Sequence, residues 1–323
     1  MKLLIPGGAG YIGSHMTKYA QGNGHEVVVL DDFSTGYEWS VSDCEVLQVN
    51  LLDQDKLRKL LQGRVFDGVI HFAAKSLVGE SVAQPDIYYR NNVVGTLNLV
   101  QEMLRNDNDH LVFSSTAAIF GDPVTDKVAE NHPKKPINPY GQSKLVVEHM
   151  LEDICSAYGF NATCLRYFNA AGADPNGTIG EAHEPETHLI PNILKSILNG
   201  GDGLKVFGDD YGTTDGTCVR DYVHVFDLAQ AHLLGLQQSK RNGFAAYNLG
   251  NGQGFSVAEV IKTCELVTGH PIDFSVVNRR EGDPAILVAD SQLAINSLGW
   301  RPQYERLETI VESAWYWHKR YHN

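Results

Sequence analysis

The chain has 323 residues, 43% hydrophobic and 20% charged, with a net charge of −13, so it is sized for one large or two unequal folded domains. That acidic balance argues against nucleic acid as a partner, because phosphate contacts need clustered Lys and Arg. Five scattered cysteines without a C-x-x-C read as a reduced, cytoplasmic protein with neither a disulfide frame nor a zinc site, and the absence of any apolar run near ~20 residues reads as no membrane span.

"KLLI" (2–5) predicts the first strand, with Pro6 tolerable only as its last residue because it cannot donate to a ladder. Further strands are predicted at 26–31, 45–49, 68–72, 110–114 and 161–167, with helices at 11–21, 53–62, 86–105 and 140–157 between them. Strands alternating with helices imply βαβ units, and strands apolar on both alternations imply cover on both faces. The fold class is therefore α/β: a doubly wound, Rossmann-type parallel sheet. After the polar stretch 169–188 the elements shorten: a helix near 188–199, a strand at 204–207, then helices near 226–238, 256–268, 290–298 and 306–320. We read 1–170 as a dinucleotide-binding domain, with the segment near 219–240 able to pack back on it. Residues 171–323 are read as a smaller α/β domain.

"GGAGYIG" places Gly7, Gly10 and Gly13 after the first strand and at the start of a helix. Glycines there allow a tight turn, close approach of the backbone to a pyrophosphate and close helix–strand packing, while the helix N-terminus receives the phosphates. Asp31 follows Gly13 by 18 residues, a position suited to a ribose diol. With no Arg or Lys in "DDFSTGYEW", the expected cofactor is NAD rather than NADP.

"NPYGQSK" sets Tyr140 four residues before Lys144, on one helix face. A free phenol titrates near ~10, so a useful base needs a drop of about three units, or about 4 kcal/mol. An ammonium at ~5 Å supplies about 3 kcal/mol of this at an effective dielectric of ~20. The run "FSSTAAIFG" ends a central strand, where ligands of such sheets bind, and Ser115 and Thr116 offer hydroxyls there, with Ser114 left as a turn cap.

The glycine loop, the Ser/Thr cluster and the Tyr140–Lys144 pair resemble the extended short-chain dehydrogenase/reductase family. "NNVVGTLNL", "LRYFNAAGA", "VFGDDYGTTDGTCVRDYVHVFDLA" and "RREGDPA" are similar to its sugar-nucleotide epimerases. The resemblance implies NAD-dependent interconversion of UDP-galactose and UDP-glucose through transient oxidation at carbon 4, with Tyr140 as base, Thr116 bridging, and Lys144 and Ser115 completing the set. It implies cofactor contacts from Tyr11, Ile12, Asp31, Asp32, Phe33, Ser34, Thr35, Gly36, Asn50, Leu51, Phe72, Ala73, Ala74, Lys75, Ser76, Asn91, Tyr167 and Phe168. It implies UDP-hexose contacts from Asn169, His188, Leu189, Lys205, Val206, Phe207, Arg220, Arg280, Asp283 and Leu287, besides Thr116 and Tyr140. Two positions depart from the family pattern: Asn50 stands where Asp is frequent, and Ser76 where many members carry Lys, here displaced to Lys75.

Ala117 and Ala118 cannot supply the acid that dehydratase or decarboxylase chemistry would place after the Thr. The resemblance implies that Leu287 borders the sugar 2-substituent, where it should crowd an N-acetyl group, which favours glucose and galactose over the acetylated pair. An epimerase that also accepts acetylated hexoses, or an NAD-binding sensor without chemistry, are the competing readings. The apolar arc of Leu145, Val146, Val147, Met150, Leu151, Ile154 and Cys155 either joins helix 86–105 in a homodimer contact or lies buried under the second domain. No metal is expected.

Overall fold

Strands that are apolar on both sides must be sandwiched between helices, and the chain supplies those helices in order. The computed structural model describes residues 1–200, 203–280 and 282–321; Glu281, inside "RREGDPA", lies outside the described residues. The first half lays down β1 (Lys2–Pro6), α1 (Tyr11–Gly22), β2 (Glu26–Asp31), β3 (Glu45–Gln48), α2 (Gln54–Leu61), β4 (Gly68–His71), α3 (Val78–Ala83), α4 (Pro85–Tyr88), a π-helical turn (Tyr89–Val94), α5 (Gly95–Arg105), β5 (His110–Thr116), α6 (Pro139–Tyr158) and β6 (Asn161–Tyr167). There follow β7 (Asn169–Ala171), α7 (Leu189–Asn199), β8 (Leu204–Phe207), β9 (Val219–Arg220), β10 (Tyr222–His224), α8 (Val225–Asn242) and β11 (Phe244–Leu249). The chain ends with β12 (Phe255–Ser256), α9 (Val257–Thr268), β13 (Phe274–Val277), β14 (Ile286–Leu287), α10 (Gln292–Leu298) and α11 (Leu307–Tyr321).

Seven strands form one parallel sheet in the order β11-β6-β5-β4-β1-β2-β3. Alternation sorts its residues. Leu3, Ile5, Val27 and Val29 face Met16 of α1 and Leu228 and Leu236 of α8, whereas Leu4, Val28, Leu30 and Phe113 face Leu57, Leu99 and Leu151 of α2, α5 and α6. This is the doubly wound arrangement that the strand composition implies. Pro6 ends β1, and its carbonyl accepts from the N–H groups of Phe72 and Ala73 at 2.7 and 3.0 Å. Gly68 leaves room for α8, since a Cβ there would lie 2.3 Å from a Leu236 methyl.

One expectation is refined and another corrected. Residues 86–105 are helical throughout, as expected, but Pro85 opens α4 and the helix widens through a π turn before continuing as α5. The strand β11 was missed altogether. It is an edge strand of the main sheet whose "FAAYNL" has weak β character, and it reaches β6 only after the excursion through α7 and β8–β10.

A further hydrophobic cluster, outside the main sheet, joins α7, α9 and α11 through Ile190, Ile193, Val260, Ile261, Ile310 and Val311. Short sheets frame it: β7 with β10, β8 with β13, and β9 between β12 and β14. Among the described residues, no helix is long and apolar enough to cross a membrane.

Candidate active site

In an open sheet of this order the crossovers diverge at β1 and β4, leaving a crevice beyond the strand C-termini. The structure has a cleft of about 930 Å³ there, running from the glycine loop to β8 and β9. It is of the size and mixed polarity expected of a cofactor and substrate site.

At one end, Gly7 adopts φ +79, and a Cβ there would lie 2.3 Å from the Ala73 backbone nitrogen; at Gly13 it would lie 2.0 Å from the Gly7 carbonyl oxygen. No side chain caps α1 at Gly10, so its first-turn N–H groups remain open to an anion. Asp31 accepts from the backbone of Ala9 and of Phe33, both at 2.9 Å, and lines the cleft as well, so its carboxylate shapes the loop it serves. Asn50 donates to Asp32 and accepts from Leu52 N–H at 2.8 Å. The backbone of Lys75 is clamped by Asn92, which accepts from its N–H at 2.9 Å, donates to its carbonyl at 3.0 Å and donates to Ser143 Oγ at 3.0 Å. These features fit a dinucleotide: an open helix N-terminus behind glycines no side chain could replace, and a carboxylate at the end of β2.

At the centre, α6 begins with Asn138, whose side chain accepts from Gly141 N–H at 2.8 Å, followed by Pro139 at the first helical position. A Cβ at Gly141 would lie 2.4 Å from the Ala118 carbonyl oxygen, so glycine lets α6 press against the end of β5. That closeness sets Tyr140 and Thr116 side by side in the lining of the cleft. One turn on, Lys144 donates from Nζ to the Ser114 carbonyl at 2.8 Å and lies 4.7 Å from the centre of the Phe113 ring. Burial pushes the Tyr140 phenol up, partly offset by Thr116, and brings Lys144 down to about 7. Against the lowering expected from Lys144 together with a nicotinamide, desolvation by the fold penalises both charged forms at once.

Ser115 is also corrected. It points to the opposite face of β5, donating to Glu148 Oε1 at 2.6 Å, where Glu148 forms a two-pronged pair with Arg166 at 2.9 and 2.7 Å. Successive strand residues face opposite sides, so Ser115 and Thr116 cannot share a site, whereas Ser114 and Thr116 can. Ser114, set aside as a turn cap, lines the cleft and hydrogen-bonds the Tyr167 hydroxyl. The period of two was the signal that could have found it. Asn92 was missed, and nothing in the local pattern pointed to it.

Phe33 and Gly36 do not line the cleft either. Phe33 packs on the sheet core, and Gly36 lies against Ala9, where a Cβ would be 2.8 Å from its carbonyl carbon. Every other expected contact residue lines it. At the far end Arg220 pairs with Asp283, and Arg280 stacks 3.9 Å from the Phe207 ring centre. Arg279 instead pairs with Asp210 at 2.6 Å on the surface, as the solvated half of that doublet. Ala117 and Ala118 both line the cleft, and Leu287 reaches it from β14, packed on the cluster of Ile119, Phe120 and Leu145.

The NAD dependent epimerase/dehydratase family matches residues 3–250. The UDP-glucose 4-epimerase of Halalkalibacterium halodurans is 51% identical over 322 residues, covering 99% of this chain and 96% of its own length. A crystal structure of UDP-glucose 4-epimerase from Brucella ovis in complex with NAD is 44% identical, with TM-score 0.94 and 97% coverage of both chains. That of UDP-glucose 4-epimerase from Bifidobacterium longum, in complex with NAD+ and UDP, is 35% identical with TM-score 0.94, covering 99% of this chain and 98% of its own.

Proposed function

The chain belongs to the NAD dependent epimerase/dehydratase family, and on that premise we propose that it interconverts UDP-galactose and UDP-glucose, with NAD as its cofactor. The meeting of Tyr140, Thr116 and Lys144 midway between a dinucleotide-shaped cradle and the Arg220–Arg280 end of the cleft carries this reading. Bound NAD supplies a hydride acceptor at carbon 4 that gives the same hydride back, together with positive charge beside the phenol.

Tyr140 takes the proton of the sugar 4-hydroxyl by way of the Thr116 hydroxyl, and returns it after the 4-keto sugar has presented its other face. Lys144 holds the phenolate electrostatically, anchored by the Ser114 carbonyl. Arg220 and Arg280 grip the diphosphate, for which the guanidinium fork is suited, while Phe207 and Val206 line a flat base pocket and Asp283 faces the ribose. Epimerisation requires that the hexose turn while the nucleotide stays. With alanines at 117 and 118, no acid stands ready to expel water, which supports epimerisation over elimination.

We further propose a cytoplasmic homodimer. The five cysteines stand unpaired, which suits a reducing compartment. Val82, Tyr89 and Val94, on α3 and the π turn ahead of α5, are exposed apolar residues.

The test is a coupled assay of UDP-galactose conversion. Tyr140→Phe should lose at least ~100-fold in turnover, the scale of a lost general base, while retaining NAD measured after denaturation. Wild-type rate in that variant would remove Tyr140 from the mechanism. Wild-type protein that holds NAD but turns over no UDP-hexose would leave only an NAD-binding sensor.

A further inference from the structure

The segment between β7 and α7 contains "EAHEPETH", which brings two imidazoles and two carboxylates together: Glu181, His183, Glu186 and His188, with one candidate ligand atom from each lying within 4.8 Å of all the others. We propose that these four residues bind a divalent transition metal, zinc by preference, that ties this segment to the wall of the cleft. The proposal is independent of the reaction.

The geometry is that of a small coordination sphere. Nδ1 of His183 lies 2.9 Å from Glu181 Oε1 and 3.9 Å from Glu186 Oε1, and Nδ1 of His188 contacts the same Glu181 oxygen. Four ligands at ~2.1 Å from a tetrahedral zinc stand roughly 3.4 Å apart, so small side-chain rotations would complete the shell. A second observation points the same way. Glu186 has a side chain only 4% exposed; its Oε1 accepts from Thr187 and His188 N–H at 2.8 and 3.0 Å, whereas its Oε2 is buried with no hydrogen-bond partner. The cation nearest to Oε2 is Lys195, at 3.7 Å, and that ammonium is engaged with the His183 carbonyl at 3.1 Å. A buried carboxylate oxygen with a long ion pair and no hydrogen bond is costly. Two imidazoles with two carboxylates suit zinc, whereas calcium and magnesium prefer oxygen ligands. The cysteine-based expectation of no metal could not see this site, since it uses no thiolate.

The position gives it a structural role. His183 meets the Tyr11 ring edge-on at 6.0 Å between centroids, and the neighbouring Ala182 carbonyl accepts from Tyr37 Oη at 2.8 Å. His188 is the N-cap residue of α7, and both histidines line the cleft. One ion would fix the segment that packs on Tyr11 of α1 to the N-cap of α7.

The experiment uses untagged, dinucleotide-loaded protein, equilibrated with zinc and desalted. Elemental analysis should find about one zinc per chain, and cobalt in its place should show the intense visible bands of a four-coordinate ion. Glu186→Gln, nearly isosteric, and Glu181→Gln should each weaken zinc binding at least ~100-fold, more than loss of a merely supporting partner. A chelator should lower the thermal midpoint of wild type but leave those variants unmoved. Absence of zinc and of cobalt bands in folded wild-type protein would overturn the proposal, leaving imidazole–carboxylate pairs. Equal zinc binding by wild type and the Glu181→Gln/Glu186→Gln double variant would overturn it too, by placing the ion elsewhere. None of these readouts depends on turnover, so their failure leaves the epimerase reading untouched.

Discussion

Burial acts on Tyr140 and Lys144 in opposite directions, and both effects favour the neutral form. For Lys144 the folded value of about 7 lies below the ~10.4 of an unfolded chain. Between these values the unfolded chain holds a proton that the folded chain has shed. The stability contribution of this group is therefore present above ~10.4 and lost as pH falls toward 7. At ~1.4 kcal/mol per unit, the effect amounts to a few kcal/mol. Lys144→Met should flatten that dependence: its unfolding free energy relative to wild type should rise by more than ~2 kcal/mol as pH is lowered from about 9.5 to 7 at equal dinucleotide occupancy. A constant difference across urea titrations would show that the ammonium is well solvated. At the sugar end, Leu287 should decide which 2-substituent fits. We expect Leu287→Ser to raise kcat/KM for UDP-N-acetylglucosamine by ~10-fold or more, the scale of a few methylenes in a pocket. Comparable use of both sugars by the wild type would show that Leu287 does not discriminate.

The strand β5 and the helix α6 make the site together, and each has a hidden side. The face of β5 carrying Ser114 and Thr116 looks into the cleft, while Ser115 looks at Glu148 and Arg166, whose side chains are each 2% exposed. This buried pair stitches α6 to β6 directly behind Tyr140. Removing one partner strands the other charge, so Glu148→Gln should destabilise the protein by ~3–5 kcal/mol, read by urea titration. Replacing both partners, as Glu148→Leu with Arg166→Met, should cost less than that single change; a larger loss would show that the pair contributes more than mutual neutralisation. The π turn at Tyr89–Val94 shows a further element-scale effect. One widened turn places Asn91 in the cleft and Asn92 between Lys75 and Ser143. Helical periodicity read at 3.6 residues per turn passes over such a turn, which is why 86–105 read as one helix.

At the scale of the whole molecule, α6 settles part of the question its apolar arc raised. Leu145, Val147, Leu151 and Cys155 are buried within the chain, leaving Val146, Met150 and Ile154 only partly covered. Val82, Tyr89 and Val94, on α3 and the π turn ahead of α5, are exposed apolar residues, so Val82→Glu, 63% exposed in the single chain, should shift a dimer toward monomer in light scattering. An unchanged mass would move the contact elsewhere. What the sequence determined was what depends on neighbours along the chain: six strands of the main sheet, the glycine turn, the Asp after it, and the Tyr–Lys pair one helical turn apart. Spacing and alternation carry such features, because side-chain direction repeats every two residues in a strand and every 3.6 in a helix. The tertiary structure alone decided that β11 closes the sheet, that Asn92 braces Lys75, that burial works against both charges of the Tyr–Lys pair, and that Arg220 pairs with Asp283. Each of these depends on residues far apart in sequence, or on exclusion of water by the whole fold, and neither leaves a mark in any local pattern.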